Sequence, residues 1–132
     1  MNKKEYARIN KEWILEKAKE EDVHFLEKGI YYKVLQEGDG KGKQPTERDV
    51  VIAHYTGWTI DGKEFDSSRD GAPLAYRLRD LIEGWIIAMS HMHVGDTWEV
   101  YIPAEMGYGS YSQPGIPGGS TLIYQIELLG VQ

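Results

Sequence analysis

Apolar positions recur along this chain with two different periods. Near the start, Tyr6, Ile9 and Trp13 fall at helical spacing, with Ile14 beside them. Asn2, with Glu5 three residues on, makes a capping-box-like start for that helix. No Gly or Pro occurs before Gly29, and the charged remainder makes the other face. Such a stripe has to be buried. Periodicity leaves open whether its own domain covers it or a second copy does, as a homodimer through the N-terminal helix. From residue 30 the period becomes that of strands. The run 30-IYYKVL-35 reads as a strand, 36-QEGDGKGKQPT-46 as a loop, and 49-DVVIAHYTGW-58 as a strand rich in β-branched and aromatic residues. Asp61-Gly62 signals a hairpin turn before 63-KEFD-66. In 73-PLAYRL-78, Leu74, Tyr76 and Leu78 share one face. Ile82, Trp85 and Met89 return to spacings of three and four, which predicts a short helix over 81–89. Alternation resumes in 96-DTWEVYIP-103 and 121-TLIYQIELL-129, either side of the Gly- and Pro-bearing loop 104–120. About five strands with one short helix late in the chain argue an α+β domain, an antiparallel sheet with one face covered by that helix. An N-terminal amphipathic helical extension over 1–29 precedes it, and the sheet domain runs over 30–132.

Composition narrows the classes. A chain of 132 residues is one domain with room for a core. The absence of Cys excludes disulfides and thiolate chemistry. The net charge of −6 is uneven: residues 1–29 balance seven basic against seven acidic side chains, and nothing after Arg79 is Lys or Arg. A surface that tracks phosphates needs clustered cations, so nucleic acid and polyanionic substrates are disfavoured. No apolar run approaches a membrane span. The start, 1-MNKKEYARIN-10, has no apolar h-region, so the expectation is the cytoplasm. Removal of a signal segment would make the periplasm or cell surface the alternative.

Candidate chemistry is mostly incomplete. The stretch 65-FDSSRDG-71 opens like a calcium loop, with Asp66, Ser68, Asp70 and Gly71, but its twelfth position is Arg77 instead of a bidentate Glu. A turn rich in Asp, Ser and Gly explains the same residues. The loop 115-GIPGGST-121 lacks the Lys of a phosphate loop. His91 and His93 have nothing nearby to complete a ligand set, and lie where the short helix should end before Gly95. Glu64 and Asp66 could form an acid/base pair, but such residues are more often simply a solvated face. What is abundant is aromatic surface, with four Trp, nine Tyr and two Phe. Tyr55, Phe65 and Tyr108 fall in or beside loops. Aromatics are usually core, yet Tyr among Gly and Pro also builds shallow apolar pockets.

The ordered set 54-HYTG-57, 61-DGKEFDSSRD-70, 82-IEGW-85, 94-VG-95, 107-GYG-109, 114-PGIP-117 and 120-STLIYQIELL-129 resembles the FKBP-type peptidyl-prolyl cis-trans isomerases, the macrolide-binding immunophilin family. The resemblance covers roughly residues 30–132. The segment 13-WILEKAKEEDVHFLEKGIYYKVL-35 resembles the end of the helical linker and first strand of bacterial Mip-like members. The family implies a strongly curved antiparallel sheet wrapped around one short helix, with the active site between them. It implies Tyr55, Phe65 and Asp66 as one wall and Trp85 as the floor beneath a substrate proline. Leu81 and Ile82 would come from the helix entry, the Ile82 N–H bonding one substrate carbonyl and the Tyr108 hydroxyl another. Ile116 and Tyr124 would close the far side. No cofactor or metal is implied. The implied partners are proline-containing peptides, unfolded or partly folded proteins, and FK506/rapamycin-type macrolides. Leu74 stands where the family pattern has an aromatic residue. A regular strand aims Phe65 and Asp66 at opposite faces, so both reach one pocket only if the strand ends or bulges there, which the following Ser67-Ser68 favours. The rival to an enzyme is a binding module or weak chaperone gripping proline segments in the same pocket. A metal-binding protein using the acids with His91 and His93 is the distant third.

Overall fold

A computed structural model describes all 132 residues. Helix α1 (Lys3–Lys17) begins at its predicted cap, where Asn2 Oδ1 accepts the Glu5 N–H at 2.8 Å. That satisfies one of the amides a helix start leaves orphaned. The helix ends well before Gly29. The region 18–29, read from the sequence as helical, instead turns and forms strand β1 (His24–Glu27), paired with β2 (Ile30–Gln36). The reason is local: Lys28 and Gly29 both have positive φ, the two-residue turn that matches strand twist. Phe25 then stacks edge-on against Tyr31 across the ladder.

The helix stripe packs in part on its own domain, with Ile14 buried and Tyr6, Ile9 and Trp13 half-buried. Ile14 is buried with Val23 and Tyr101, and Trp13 packs on the Tyr101 ring at 5.9 Å. The helix also buries a polar residue outside the predicted stripe, Asn10.

Seven strands form, against the five or so expected, in one antiparallel sheet ordered β1-β2-β6-β7-β3-β4. These are β3 (Val50–Trp58), β4 (Glu64–Ser67), β5 (Leu74–Arg77), β6 (Thr97–Ile102) and β7 (Leu122–Val131). β5 pairs with the first half of β3 and β4 with its second half. Leu74 and Leu78 turn inward as expected, but Tyr76 stays half exposed at the sheet edge. Leu78 has already left the strand for a 3-10 turn.

The sheet curls around α2 (Glu83–Met89). Seven residues are too few to hold a helix alone. What holds α2 is burial of Gly84, Trp85, Ile87, Ala88 and Met89 against the inward residues of β6 and β7. Gly84 lets it come close, since a Cβ there would lie 2.5 Å from Ile102 Cγ2. Beyond α2, the buried Asp96 carboxylate accepts the N–H groups of Gly38 at 2.8 Å and His93 at 2.9 Å. That pins the long β2–β3 connection to the helix exit. No helix is long and apolar enough to cross a membrane.

Candidate active site

The entry to α2 is the first component of the site. Ile82 is the residue at the helix cap, extended at φ −63° and ψ 154° and without a capping side chain. Its carbonyl accepts from Trp85 and Ile86, while its own N–H bonds nothing in the chain. One turn on, Trp85 is 4% exposed and stands edge-on to Tyr55 at 5.1 Å and to Tyr124 at 5.2 Å. Three aromatic rings from α2, β3 and β7 thus meet with their edges against faces, the arrangement their quadrupoles favour.

The second component is the end of β3 and β4. Here Gly57 pairs with Asp66 and Trp58 with Glu64, leaving Phe65 as the extra residue of a bulge. The strand does bulge there, at Phe65, and it ends at Ser67. The bulge separates the roles of the neighbours. Phe65 turns its ring edge-on to Tyr124 at 5.5 Å. Asp66 turns to the mouth, where Oδ2 accepts the Tyr55 hydroxyl at 2.6 Å and Oδ1 the Ser67 N–H at 2.9 Å. Both carboxylate oxygens are therefore engaged within the chain. Ser68 faces away, with its Oγ on the Tyr55 N–H and His54 Nδ1.

These parts enclose a cavity of about 180 Å³ lined by Tyr55, Asp66, Leu74, Leu81, Ile82, Trp85, Tyr108 and Tyr124. Seven of the nine residues named from the sequence border it. Phe65 is not among the lining residues; its half-buried ring stands beside Tyr124. Ile116 is buried in the core and borders a separate polar groove with Tyr6, Asp61 and Lys63. His91 Nδ1 meets the Ile87 carbonyl, and His93 lies 3.9 Å from Asp96, so both serve the helix exit away from the cavity.

Two contributors were missed as site residues. Leu74 lines the cavity from β5. Gly57 makes room for the wall: a Cβ there would fall 2.6 Å from Phe65 Cζ and 2.7 Å from Tyr124 Cε1. The signal for Gly57 was its place at the end of 54-HYTG-57, in a strand interior where Gly marks close approach.

Electrostatically the cavity is quiet. Burial pushes the Tyr124 phenol far up, followed by the nearby Tyr108, Tyr55 and Asp66. The Tyr55 phenol is raised first by burial and then by its bond to Asp66. Both are neutral donors at physiological pH. The Tyr108 hydroxyl bonds nothing in the chain. The site offers an aromatic floor, with the Ile82 N–H and the Tyr108 O–H free beside it. No Ser, Cys, Thr or Lys lines it.

The model of the FKBP-type peptidyl-prolyl cis-trans isomerases matches residues 41–129. The chain is 41% identical over 116 residues to the FKBP-type peptidyl-prolyl cis-trans isomerase FkpA of Escherichia coli, covering 87% of this chain and 42% of that protein. It is 39% identical over 109 residues to the outer membrane protein MIP of Legionella longbeachae, covering 81% and 46%. The crystal structure of Escherichia coli FkpA superposes with a TM-score of 0.89 at 38% identity, over 98% of this chain and 62% of that one. A peptidyl-prolyl cis-trans isomerase structure from Pseudomonas syringae pv. tomato superposes with a TM-score of 0.92 at 28% identity, over 100% and 97%. The chain spans about half the length of the curated relatives it matches. On the strength of the matched model and these relatives, the chain belongs to the FKBP-type peptidyl-prolyl cis-trans isomerase family.

Proposed function

We propose that this chain catalyses cis–trans rotation about X-Pro peptide bonds in folding proteins. The observation that carries the reading is the largely aromatic cavity over Trp85, with the unpartnered Ile82 N–H and Tyr108 hydroxyl at its rim. Rotation breaks no covalent bond; it suspends amide resonance against a barrier of ~18–20 kcal/mol. Uncatalysed, it takes tens to hundreds of seconds. In the twisted transition state the nitrogen regains its lone pair and the carbonyl loses polarity. A dry aromatic cavity favours that state over the planar, more polar amide.

In this reading Trp85 is the floor under the proline ring, flanked by Tyr55 and Tyr124. Ile82 N–H and Tyr108 O–H donate to carbonyls on either side of the ring and hold the peptide bent. Asp66 acts chiefly by fixing the Tyr55 ring through their 2.6 Å bond. Leu81 and Leu74 complete the rim, while Phe65 supports Tyr124 and Ile116 fills the core beneath the loop. The cavity is smaller than the ~300–1,000 Å³ that takes a whole drug-sized ligand. It suits a single ring, so FK506/rapamycin-type macrolides would insert one ring and spread over the rim. We take residues 30–132 as the isomerase unit, with 1–29 as an extension packed on it. For the compartment, the name of the Legionella longbeachae relative supports the periplasmic or surface alternative over the cytoplasm; cell fractionation tests that.

The test of activity is the exchange rate of a Leu-Pro-Phe peptide by NMR with the purified chain, alongside Trp85→Ala and the better-packed Trp85→Leu. Acceleration by wild type that largely disappears in the folded variants is the expected result. Binding without acceleration by wild type would overturn it and leave a proline-binding module.

A further inference from the structure

We propose that helix α1 positions the pocket's Tyr108 through the base of the 104–120 loop, with Asn10 and Tyr6 as positioning residues. The inference rests on the isomerase reading above and extends it to two helix residues 98 and 102 positions before Tyr108. The loop leaves β6, carries Tyr108 near its start, and returns to β7 through residues 117–121. It contains five Gly and two Pro, and its only internal β-bridge is Gln113 to Ile116. Short turns set the bend at Tyr108, where the Gly107 and Gly109 N–H groups donate to the Ala104 carbonyl and the Tyr111 N–H to the Tyr108 carbonyl, but they tie the loop only to itself and leave its placement to what holds its base. Tyr108 has no hydroxyl partner in the chain either, so its place depends on the backbone that bears it.

Helix α1 supplies an external strut. Asn10 is 1% exposed, an unusual burial for an amide. Its Oδ1 accepts the Thr121 N–H at 2.8 Å, and its backbone carbonyl accepts the Thr121 hydroxyl at 3.0 Å. Nδ2 donates to the Tyr6 carbonyl at 2.9 Å, which fixes the orientation of the amide. One turn back, the Tyr6 hydroxyl shares a hydrogen bond with Ser120 Oγ at 2.9 Å. Between these bonds Ala7 lies against Gly119. A Cβ on Gly119 would sit 3.0 Å from Ala7 Cβ, at a φ of +86° that also calls for Gly.

The contacts continue toward the pocket. Gly119 N–H donates to the Gly109 carbonyl at 2.8 Å, and Gly109 directly follows Tyr108. Gly118 presses on Ser110 beside it, with no room for a side chain. An unbroken path therefore runs from Asn10 and Ala7 through Gly119 and Gly109 to Tyr108. Anchoring α1 alone would not need it, because Ile14 on Val23 and Tyr101 already provides an apolar contact. A buried, satisfied polar network instead specifies one relative placement of the elements it joins.

The test is Asn10→Ala, which removes the side-chain strut and leaves Ile14 packed. Its kcat/KM on the Leu-Pro-Phe peptide is expected to fall about three- to tenfold. In a Tyr108→Phe background the same substitution should cost less than about twofold, because the hydroxyl being positioned is gone. Ile14→Val, which loosens the other part of the interface, leaves kcat/KM unchanged. Independently of turnover, the amide resonances of Tyr108 and Gly109 should shift in Asn10→Ala and stay in place in Ile14→Val. Unshifted resonances in folded Asn10→Ala overturn the proposal, as does an equal loss of kcat/KM with and without the Tyr108 hydroxyl. A wild type that accelerates nothing overturns the isomerase reading instead, and the resonances still decide the strut. Should Asn10→Ala fail to fold, Tyr6→Phe removes only the Ser120 bond and carries the same readouts at smaller amplitude.

Discussion

Adding one methyl group at Gly57 tests whether the wall of the cavity is a rigid stack. The Cβ of Gly57→Ala would lie 2.6 Å from Phe65 Cζ, 2.7 Å from Phe65 Cε1 and 2.7 Å from Tyr124 Cε1. Ordinary carbon contacts begin near 3.5 Å, so each ring has to retreat by about 0.8–0.9 Å. Neither ring can do so alone. Tyr124 is buried and braced by Trp85 at 5.2 Å, and Phe65 is braced by Tyr124 at 5.5 Å. Overpacking of this kind costs about 1–3 kcal/mol, which for a chain of this size lowers Tm by roughly 3–15 °C. The effect on rate should be larger in proportion, because Tyr124 lines the cavity and touches its floor. A misplacement near 1 Å can cost ~100-fold, so a fall of about ten- to a hundredfold in kcat/KM is expected. The assay is peptide exchange by NMR on variants whose folding has been checked by thermal melting. Phe65→Leu added to Gly57→Ala relieves one of the two clashes and should recover part of the stability. A folded Gly57→Ala variant with kcat/KM within about twofold of wild type would refute the rigid-stack argument.

Three further outcomes are expected. Asp66→Ala should retain measurable activity, losing about tenfold or less, while Trp85→Ala and Phe65→Ala lose more; equal kcat/KM in all three would remove the floor from the mechanism. Gly84→Ala should destabilise by about 1–3 kcal/mol despite the better helix propensity of Ala, because its Cβ meets Ile102, and a raised Tm would contradict the packing. Stability should fall at alkaline pH: the Tyr55, Tyr101 and Tyr124 phenols are raised, mainly by burial. The folded chain therefore keeps protons that the unfolded chain releases above the ordinary phenol value of about 10. Their contribution is fully present below that value and is lost as pH rises through the folded values. Urea midpoints on either side of about pH 10 read this out, and a flat profile there would exclude it.

The strand and helix pattern was legible wherever one face is buried, because alternation and helical spacing report burial directly. It failed at 18–29. There the charged run 16-EKAKEEDVHFLEK-28 has no clean period, and β1 forms because Lys28-Gly29 adopt positive φ and bring Phe25 onto Tyr31. The turn residues carry that information weakly, since Lys is an uncommon choice for such a turn. The burial of Asn10 was invisible for a related reason. Hydrophobic periodicity scores Asn as an outward position, and only the approach of Thr121 from 111 residues away makes it an inward one.

The site was legible in part as residue identity and poorly as layering. Tyr55, Asp66, Leu81, Ile82, Trp85, Tyr108 and Tyr124 meet at one cavity, though they come from five separate stretches of the chain. Such convergence follows from topology, to which local patterns are blind; it was reached through the ordered motifs. Within the cavity, a strand period would put Phe65 and Asp66 on opposite faces, and a motif would put both on the wall. The bulge at Phe65 does neither. It inserts one residue, sends Asp66 to the mouth and leaves Phe65 edge-on to Tyr124, where Gly57 opposite makes the room. The glycine and the bulge are therefore one device. The missing side chain at 57 admits the ring that the extra residue at 65 displaces, and each is understandable only in the presence of the other.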